Sequence, residues 1–195
     1  VLVISDEIHS DMALSGQRHI PFAKVSAEAE AISLTLMAPS KTFNIAGIVS
    51  SFAVIPNKEI RERYLAYLQP RELQQGTLFA FTATRAAYEE CDEWLRQMLD
   101  YVEENVRFVD RFLREHIPSI QAMIPEASFL VWLDCRQLRL SQRELVRLFV
   151  EKAGLALNDG TMFGREGEGF MRLNVGTSRR ILEKALNNLK NAVGQ

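Results

Sequence analysis

Two apolar segments of this chain are each followed by a residue that can do chemistry, and this pairing constrains the fold most. Residues 1–5 (VLVIS) lead into Asp6, and residues 31–37 (AISLTLM) are followed shortly by Lys41. Continuous apolar runs of this length are typical of buried parallel strands. Open α/β sheets bind their ligands beyond the carboxyl ends of such strands. The sequence therefore predicts an α/β fold with a carboxylate and an amine at one sheet edge.

A carboxylate and an amine so placed have the chemistry of a pyridoxal phosphate site. The amine can form a Schiff base with the aldehyde, and the carboxylate keeps the pyridine nitrogen protonated so that the ring accepts electrons. Each residue also has a simpler interpretation, Lys41 as a surface lysine in a turn and Asp6 as the cap of a following turn. The strand before each residue favours the functional interpretation.

The segments around these residues resemble the fold-type I pyridoxal-phosphate enzymes, the aminotransferase class I/II superfamily. SDEIHSD at 5–11 and SKTFNIAG at 40–47 are most similar to its cystathionine β-lyase-like, or C–S lyase, branch. Similarity continues in RAAY at 85–88, PEASFLVWLD at 125–134 and FMRLN at 170–174. The resemblance thus extends along the whole chain and implies the C-terminal part of a pyridoxal-phosphate-dependent transferase-like fold.

The resemblance also implies roles for individual residues. Lys41 would be the catalytic, Schiff-base lysine, and Asp6 would form a salt bridge to the pyridinium nitrogen. His9 stands where many members carry a tyrosine that binds the ring hydroxyl, and Ser40 would give a hydroxyl to the cofactor phosphate. Arg172 would bind the substrate α-carboxylate, for which a guanidinium offers two parallel donors.

Other interpretations of these residues remain open at this stage. His9 fits equally a partly buried histidine at a strand exit, Ser40 a common turn serine, and Arg172 a rim arginine on an edge strand. The family often has a hydroxyl at the position of Ala38 and a phosphate-binding arginine at that of Val49. We therefore expect the phosphate to be held mainly by residues outside this chain.

The implied activity is that of a pyridoxal-phosphate enzyme acting on a small-molecule substrate, an L-amino acid. Expulsion of a thiol from the β-carbon would give C–S lysis, with pyruvate and ammonia as products. Plain transamination is the alternative within the family. From a different class, the chain would be a catalytically inert fragment or a partner-binding protein.

Composition excludes several other classes of function. The 23 basic residues are interspersed with 25 acidic ones, and the net charge of −2 offers no basic surface for nucleic acid. No apolar run has the length of a membrane span. Cys91 and Cys135 lack the spacing of metal ligands and suit a reducing compartment, so we expect a cytoplasmic protein without a metal.

The chain opens inside a strand and without an initiator methionine, so we expect the C-terminal half of a longer, homodimeric enzyme. Residues 1–75 would complete the large cofactor-binding domain as the remnant of its parallel strands, the strand at 50–55 included. Residues 76–116 would form a long interdomain helical segment, and residues 117–195 a small α+β domain. The ring-stacking and phosphate-binding residues would lie in the other half. We therefore expect this chain to be inactive by itself.

Local signals predict the remaining elements. Asn57 is a predicted N-cap, and Ser141 with Glu144 is predicted to form a capping box. The helical pattern at 78–116 is too long for one ordinary helix, so we expect a break near Cys91. The predicted strands after the first two are 50–55, 128–133, 155–157 and 170–175, and the predicted helices outside 78–116 are 57–67, 141–153 and 179–193.

Overall fold

The computed structural model describes residues 1–194 and has an α/β fold with two sheets. The three-stranded sheet is mixed, and the four-stranded sheet is antiparallel. The chain divides into two compact units, Val1–Met98 and Leu99–Gln195. The predicted α/β class is confirmed. No helix among the described residues combines the length and the apolarity needed to cross a lipid bilayer.

The sheet of the first unit has the strand order β1 (Val3–Asp6), β2 (Ser33–Met37), β3 (Phe52–Val54). β1 and β2 are parallel, as predicted, and Asp6 lies opposite Leu36. β3 is antiparallel to β2, whereas the sequence interpretation had treated it as further parallel-strand material. The reason lies in the connection, residues 38–51, which holds turns but no crossover helix that would carry the chain back to start a parallel strand.

Capping residues set the helices of the first unit. α1 (Ala27–Ile32) begins at Ser26, whose hydroxyl accepts a hydrogen bond from the Ala29 N–H, so the predicted strand 31–37 starts only at residue 33. α2 (Lys58–Leu68) begins at Asn57 as predicted, with its side chain accepting from two backbone N–H groups of the first turn.

The long helical pattern breaks where it was expected. α3 (Leu78–Glu90) ends at Cys91, and α4 (Asp92–His116) starts directly after it. In the second unit, α4 buries one apolar stripe at helical spacing, which consists of Val102, Val106, Val109 and Leu113. Cys91 is partly exposed and Cys135 is buried, and both are free thiols.

The second unit contains an antiparallel sheet with the strand order β4-β5-β7-β6. Its strands are β4 (Gln121–Met123), β5 (Leu130–Asp134), β6 (Asn158–Asp159) and β7 (Phe170–Asn174). The predicted strand 155–157 was wrong, because the Leu155 N–H bonds back to Phe149 and the Leu157 N–H bonds to Leu155. Only the next two residues pair with β7.

Two helices complete the second unit. α5 (Gln142–Arg147) has the predicted capping box between Ser141 and Glu144, and continues as a π-helical turn over Leu148–Lys152. α6 (Arg179–Val193) has the predicted bounds and buries a stripe that consists of Leu182, Leu186, Leu189 and Ala192. These apolar stripes, with the inner faces of β5 and β7, form the core of this unit.

Candidate functional site

Asp6 ends β1 with an exposed carboxylate. Its Oδ1 accepts a hydrogen bond from the Ile8 N–H at 3.2 Å, which is the turn-capping geometry that the simpler interpretation predicted. Within residues 1–194 no cation pairs with this carboxylate. Asp6 therefore caps a turn and still presents a free anionic oxygen at the carboxyl end of the strand.

The neighbouring Glu7 is buried, with 6% of its surface exposed. Its carboxylate accepts hydrogen bonds from the Ser5 hydroxyl and the Phe22 N–H, each at 2.9 Å, and His19 Nε2 lies 2.7 Å from its second oxygen. Burial raises the pKa of Glu7, but the hydrogen bonds from His19, Phe22 and Ser5 outweigh it and lower the pKa below its usual range. Glu7 thus fastens the loop at 19–22 beside the end of β1.

Lys41 lies in the turn that follows β2. The Phe43 N–H bonds to the Pro39 carbonyl at 2.9 Å and the Ile45 N–H to the Ser40 carbonyl at 3.1 Å. These two backbone hydrogen bonds close the turn that contains Lys41. The Lys41 side chain is exposed and has no ion-pair or hydrogen-bond partner in the described part of the chain. A free amine is what a nucleophilic or proton-transferring lysine needs.

His9 and Ser40 lie in the same two loops as Asp6 and Lys41. His9 is half-buried just before the 3₁₀ turn Ser10–Met12, and Ser40 is half-buried directly before Lys41. Both loops follow the carboxyl ends of adjacent parallel strands, because β1 pairs with β2. The structure therefore brings these candidate residues to one edge of the sheet.

An open cavity of about 480 Å³ lies beside this edge in the first unit. Asp6 lines it, as do Ala38 and Val49, which flank the Lys41 turn in sequence, whereas Lys41 itself is not among its lining residues. Val49 has a φ of +54°, a left-handed conformation that is unfavourable for a β-branched side chain. Backbone strain of this kind collects at functional loops.

Arg172 belongs to the second unit, where it lies in β7 between β5 and β6. The interpretation of Arg172 as a rim residue on an edge strand was wrong, since β7 is an inner strand of the sheet. One terminal N–H donates to Asn158 Oδ1 at 3.0 Å, and the guanidinium lies 4.4 Å from the centre of the Phe163 ring. The orientation of the side chain is therefore fixed from two sides.

The Nε atom of Arg172 is buried and has no hydrogen-bond partner within residues 1–194. Buried donors almost always have an acceptor, and leaving one unpaired is costly. An anionic ligand that accepted from this N–H would remove that cost. Arg172 therefore has the orientation and the open donor of an anion-binding arginine.

The Phe163 ring that covers the guanidinium is itself packed against a further aromatic side chain. Trp132 is half-buried and packs edge-on against Phe163 and face-on against Phe170, with ring centres 5.6 Å apart in each pair. Trp132 lies opposite Arg172 in the sheet register. It therefore supports the ring that covers the guanidinium.

Comparison with known sequences gives one family over nearly the whole chain. The profile described as aminotransferase class I and II matches residues 1–189. Among curated proteins, cystathionine beta-lyase PatB of Bacillus subtilis is 43% identical over 99% of the chain, and protein MalY of Escherichia coli is 36% identical over 99%. The chain spans about half the length of each, 50% and 49% respectively.

Solved structures give the same picture. Cystalysin from Treponema denticola, which contains pyridoxal 5'-phosphate, matches all of the chain with a TM-score of 0.93 and 31% identity. The pyridoxal-phosphate-bound C–S lyase from Staphylococcus hominis matches it with a TM-score of 0.88 and 32% identity. The chain covers 49% and 50% of those two chains.

Proposed function

This chain belongs to the aminotransferase class I and II family, and we propose that its protein is a pyridoxal-phosphate-dependent C–S lyase that acts on an L-amino acid such as cystathionine. The observation that carries the proposal is the position of the exposed Asp6 carboxylate and the exposed Lys41 amine at the carboxyl ends of adjacent parallel strands. The relatives named as cystathionine β-lyases and C–S lyases support the choice of reaction.

The residues of this chain fit the pyridine ring of the cofactor better than its phosphate group. Asp6 suits the pyridine nitrogen, Lys41 suits the aldehyde, and His9 can donate to the ring hydroxyl. At the phosphate end the chain offers only Ser40, because the side chains at positions 38 and 49 are apolar. We therefore assign most of the phosphate binding to residues outside this chain, in the same subunit or in a second subunit of a homodimer.

When bound, pyridoxal phosphate supplies an aromatic ring that withdraws electrons from the α-carbon of an attached amino acid. Asp6 would hold the proton at the ring nitrogen, which keeps the ring electron-poor. Lys41 would bind the aldehyde carbon before substrate arrives and, once displaced, would take the proton from the substrate α-carbon. Arg172 would bind the α-carboxylate and so fix the orientation of the scissile bonds.

The overall reaction then cleaves the bond between the β-carbon and sulfur. The bonding electron pair would leave with the sulfur, which would take up a proton to become a thiol, and water would hydrolyse the remaining three-carbon fragment to pyruvate and ammonia. The cytoplasmic location and the homodimer expected from the sequence belong to the same proposal. The two free cysteines suit the reducing compartment that the location implies.

The test uses the full-length protein, cystathionine and no added keto acid. We expect pyruvate release and a visible absorption band that borohydride abolishes. Lys41→Ala should lose the band and lower kcat by at least about 10³-fold. Lys58→Ala is the matched control, because Lys58 is an exposed lysine that pairs with Glu62 on its own helix.

Two results would contradict the proposed reaction. Turnover that requires a keto acid and releases no pyruvate would indicate a transaminase. A protein without the visible band, even when saturated with pyridoxal phosphate, would indicate a non-catalytic role.

A further inference from the structure

Tyr88 of α3 contacts both loops that carry the candidate catalytic residues. Its hydroxyl donates to Asp11 Oδ2 at 3.3 Å, and its ring packs edge-on against Phe43 with ring centres 5.4 Å apart. Asp11 lies two residues after His9, and Phe43 lies two residues after Lys41. One side chain thus connects the loop after β1 with the turn after β2.

Further aromatic contacts hold Tyr88 in place from the other side. Its ring meets Phe52, at the start of β3, edge-on at 6.1 Å, and Phe43 also stacks on Trp94 at 6.0 Å. Ring pairs in these geometries prefer particular orientations, so the cluster fixes the direction of each ring. The Lys41 turn is therefore attached to a rigid group of rings rather than to a single contact.

The hydroxyl of Tyr88 acts as a permanent donor. Burial first, and then the charge of Asp11 and its hydrogen bond, raise the pKa of Tyr88 to about 12. The phenol consequently keeps its proton throughout the range in which such enzymes work, and Asp11 keeps a fixed partner. Tyr88 is therefore poorly suited to act as a base at neutral pH, and its contacts give it a structural role towards the site.

We infer that Tyr88 is a positioning residue that fixes the Lys41 turn relative to the Asp6–Asp11 loop. Its hydroxyl bonds to the loop at Asp11, and its ring packs against the turn at Phe43. The inference rests on the proposed function, since it concerns the placement of groups around the cofactor. The two loops leave separate strands, and Tyr88 links them because its hydroxyl donates to Asp11 in one and its ring packs against Phe43 in the other. A change at Tyr88 should therefore misplace Lys41 without removing any group that touches substrate.

The test compares Tyr88→Phe with Tyr101→Phe in the full-length holoprotein. The first change removes only the bond to Asp11. The second removes a tyrosine hydroxyl that accepts from the Arg179 N–H at 2.7 Å in the other unit, and serves as the matched control. The readouts are the visible circular dichroism per bound cofactor, kcat and KM separately, and the thermal midpoint of the apoprotein.

For Tyr88→Phe we expect a weaker dichroic band at equal cofactor occupancy and a fall in kcat of about threefold to tenfold, the range typical of one lost hydrogen bond, with KM within about twofold. Tyr101→Phe should change only the thermal midpoint. Asp11→Ala should reproduce the Tyr88→Phe effects, and the double variant should be no worse than either single one, because both changes remove the same hydrogen bond.

An unchanged dichroic band in both Tyr88→Phe and Asp11→Ala would overturn the inference, as would additive losses in the double variant. If Tyr88→Phe fails to fold, Asp11→Ala decides alone. A wild-type protein that binds the cofactor but releases no pyruvate would overturn the proposed reaction only, since the dichroism still reports on Tyr88. A wild-type protein that binds no cofactor would overturn both.

Discussion

Asp6 and Glu7 are adjacent carboxylates with opposite environments. Asp6 is exposed and accepts one backbone hydrogen bond, whereas Glu7 is buried and holds Ser5, Phe22 and His19. The first is available to a ligand, and the second fastens the loop that supports the strand end. The difference between the two side chains leads to separable predictions for stability and for cofactor binding.

Replacing Glu7 should destabilise the fold, while replacing Asp6 should not. Glu7→Gln removes the charge from three hydrogen bonds in a buried site, and we expect a loss of about 1–3 kcal/mol in the free energy of unfolding. Asp6→Asn is the control and should change it by less than about 0.5 kcal/mol, because the carboxylate is exposed. Urea unfolding of the apoprotein measures both. Equal losses in the two variants would contradict the assignment.

The same pair predicts a pH dependence. The folded-state pKa of Glu7 is lowered from its ordinary value of 4.5, so the folded state favours the ionised form. The contribution of Glu7 to the free energy of unfolding is therefore fully present above pH 4.5. It is lost as the pH falls from 4.5 through the lower pKa that Glu7 has in the folded state. Urea unfolding at a series of pH values should show this loss in the wild type and a flatter profile in Glu7→Gln. Parallel profiles would show that Glu7 is not responsible.

Arg172→Lys should raise KM more than it lowers kcat. A lysine cannot keep the contact with the Phe163 ring, the bond to Asn158 and two donors for a carboxylate at once. We expect an increase in KM of about tenfold to a hundredfold for the amino acid substrate. Arg165→Lys, in the exposed loop before β7, is the control and should leave both constants unchanged. A fall in kcat alone would place Arg172 elsewhere than at the substrate carboxylate.

Gly167→Ala should be among the most damaging substitutions in the second unit. A Cβ atom there would lie 1.9 Å from the Gly160 carbonyl oxygen, and a Cβ at Gly160 would lie 2.2 Å from the Gly167 oxygen. We expect a loss of more than about 3 kcal/mol, or failure to fold. Gly47→Ala is the control, because no atom lies within 4 Å of its Cβ position. Thermal unfolding of both variants makes the comparison.

The sequence predicted the positions of Asp6 and Lys41 because both follow apolar runs, and a run of apolar residues is a local signal. It predicted Asn57 and Ser141 as caps for the same reason. The roles of these site residues stay predictions, because the fold places the residues without showing what they bind. The alternation around Arg172 indicated a strand, but only the sheet order shows that this strand is an inner one.

What the sequence missed depends on contacts between distant segments. The hydrogen bond from Tyr88 to Asp11 joins residues 77 positions apart, and no spacing in the sequence predicts it. Glu7 could have been suspected, because Ser5 and Glu7 share a side of the strand, but the partners His19 and Phe22 come from a loop without a regular pattern. The direction of β3 depended on how the chain returns after Lys41.

The different environments of the two cysteines allow one of them to be labelled selectively. Burial, and then the charge of Asp134, raise the pKa of Cys135 to about 12, so its thiol stays protonated and unreactive towards maleimides. Cys91 is partly exposed at the break between α3 and α4. A fluorescent maleimide should therefore attach within this chain at Cys91 alone, next to the helix that carries Tyr88, and report on ligand binding without any engineered cysteine.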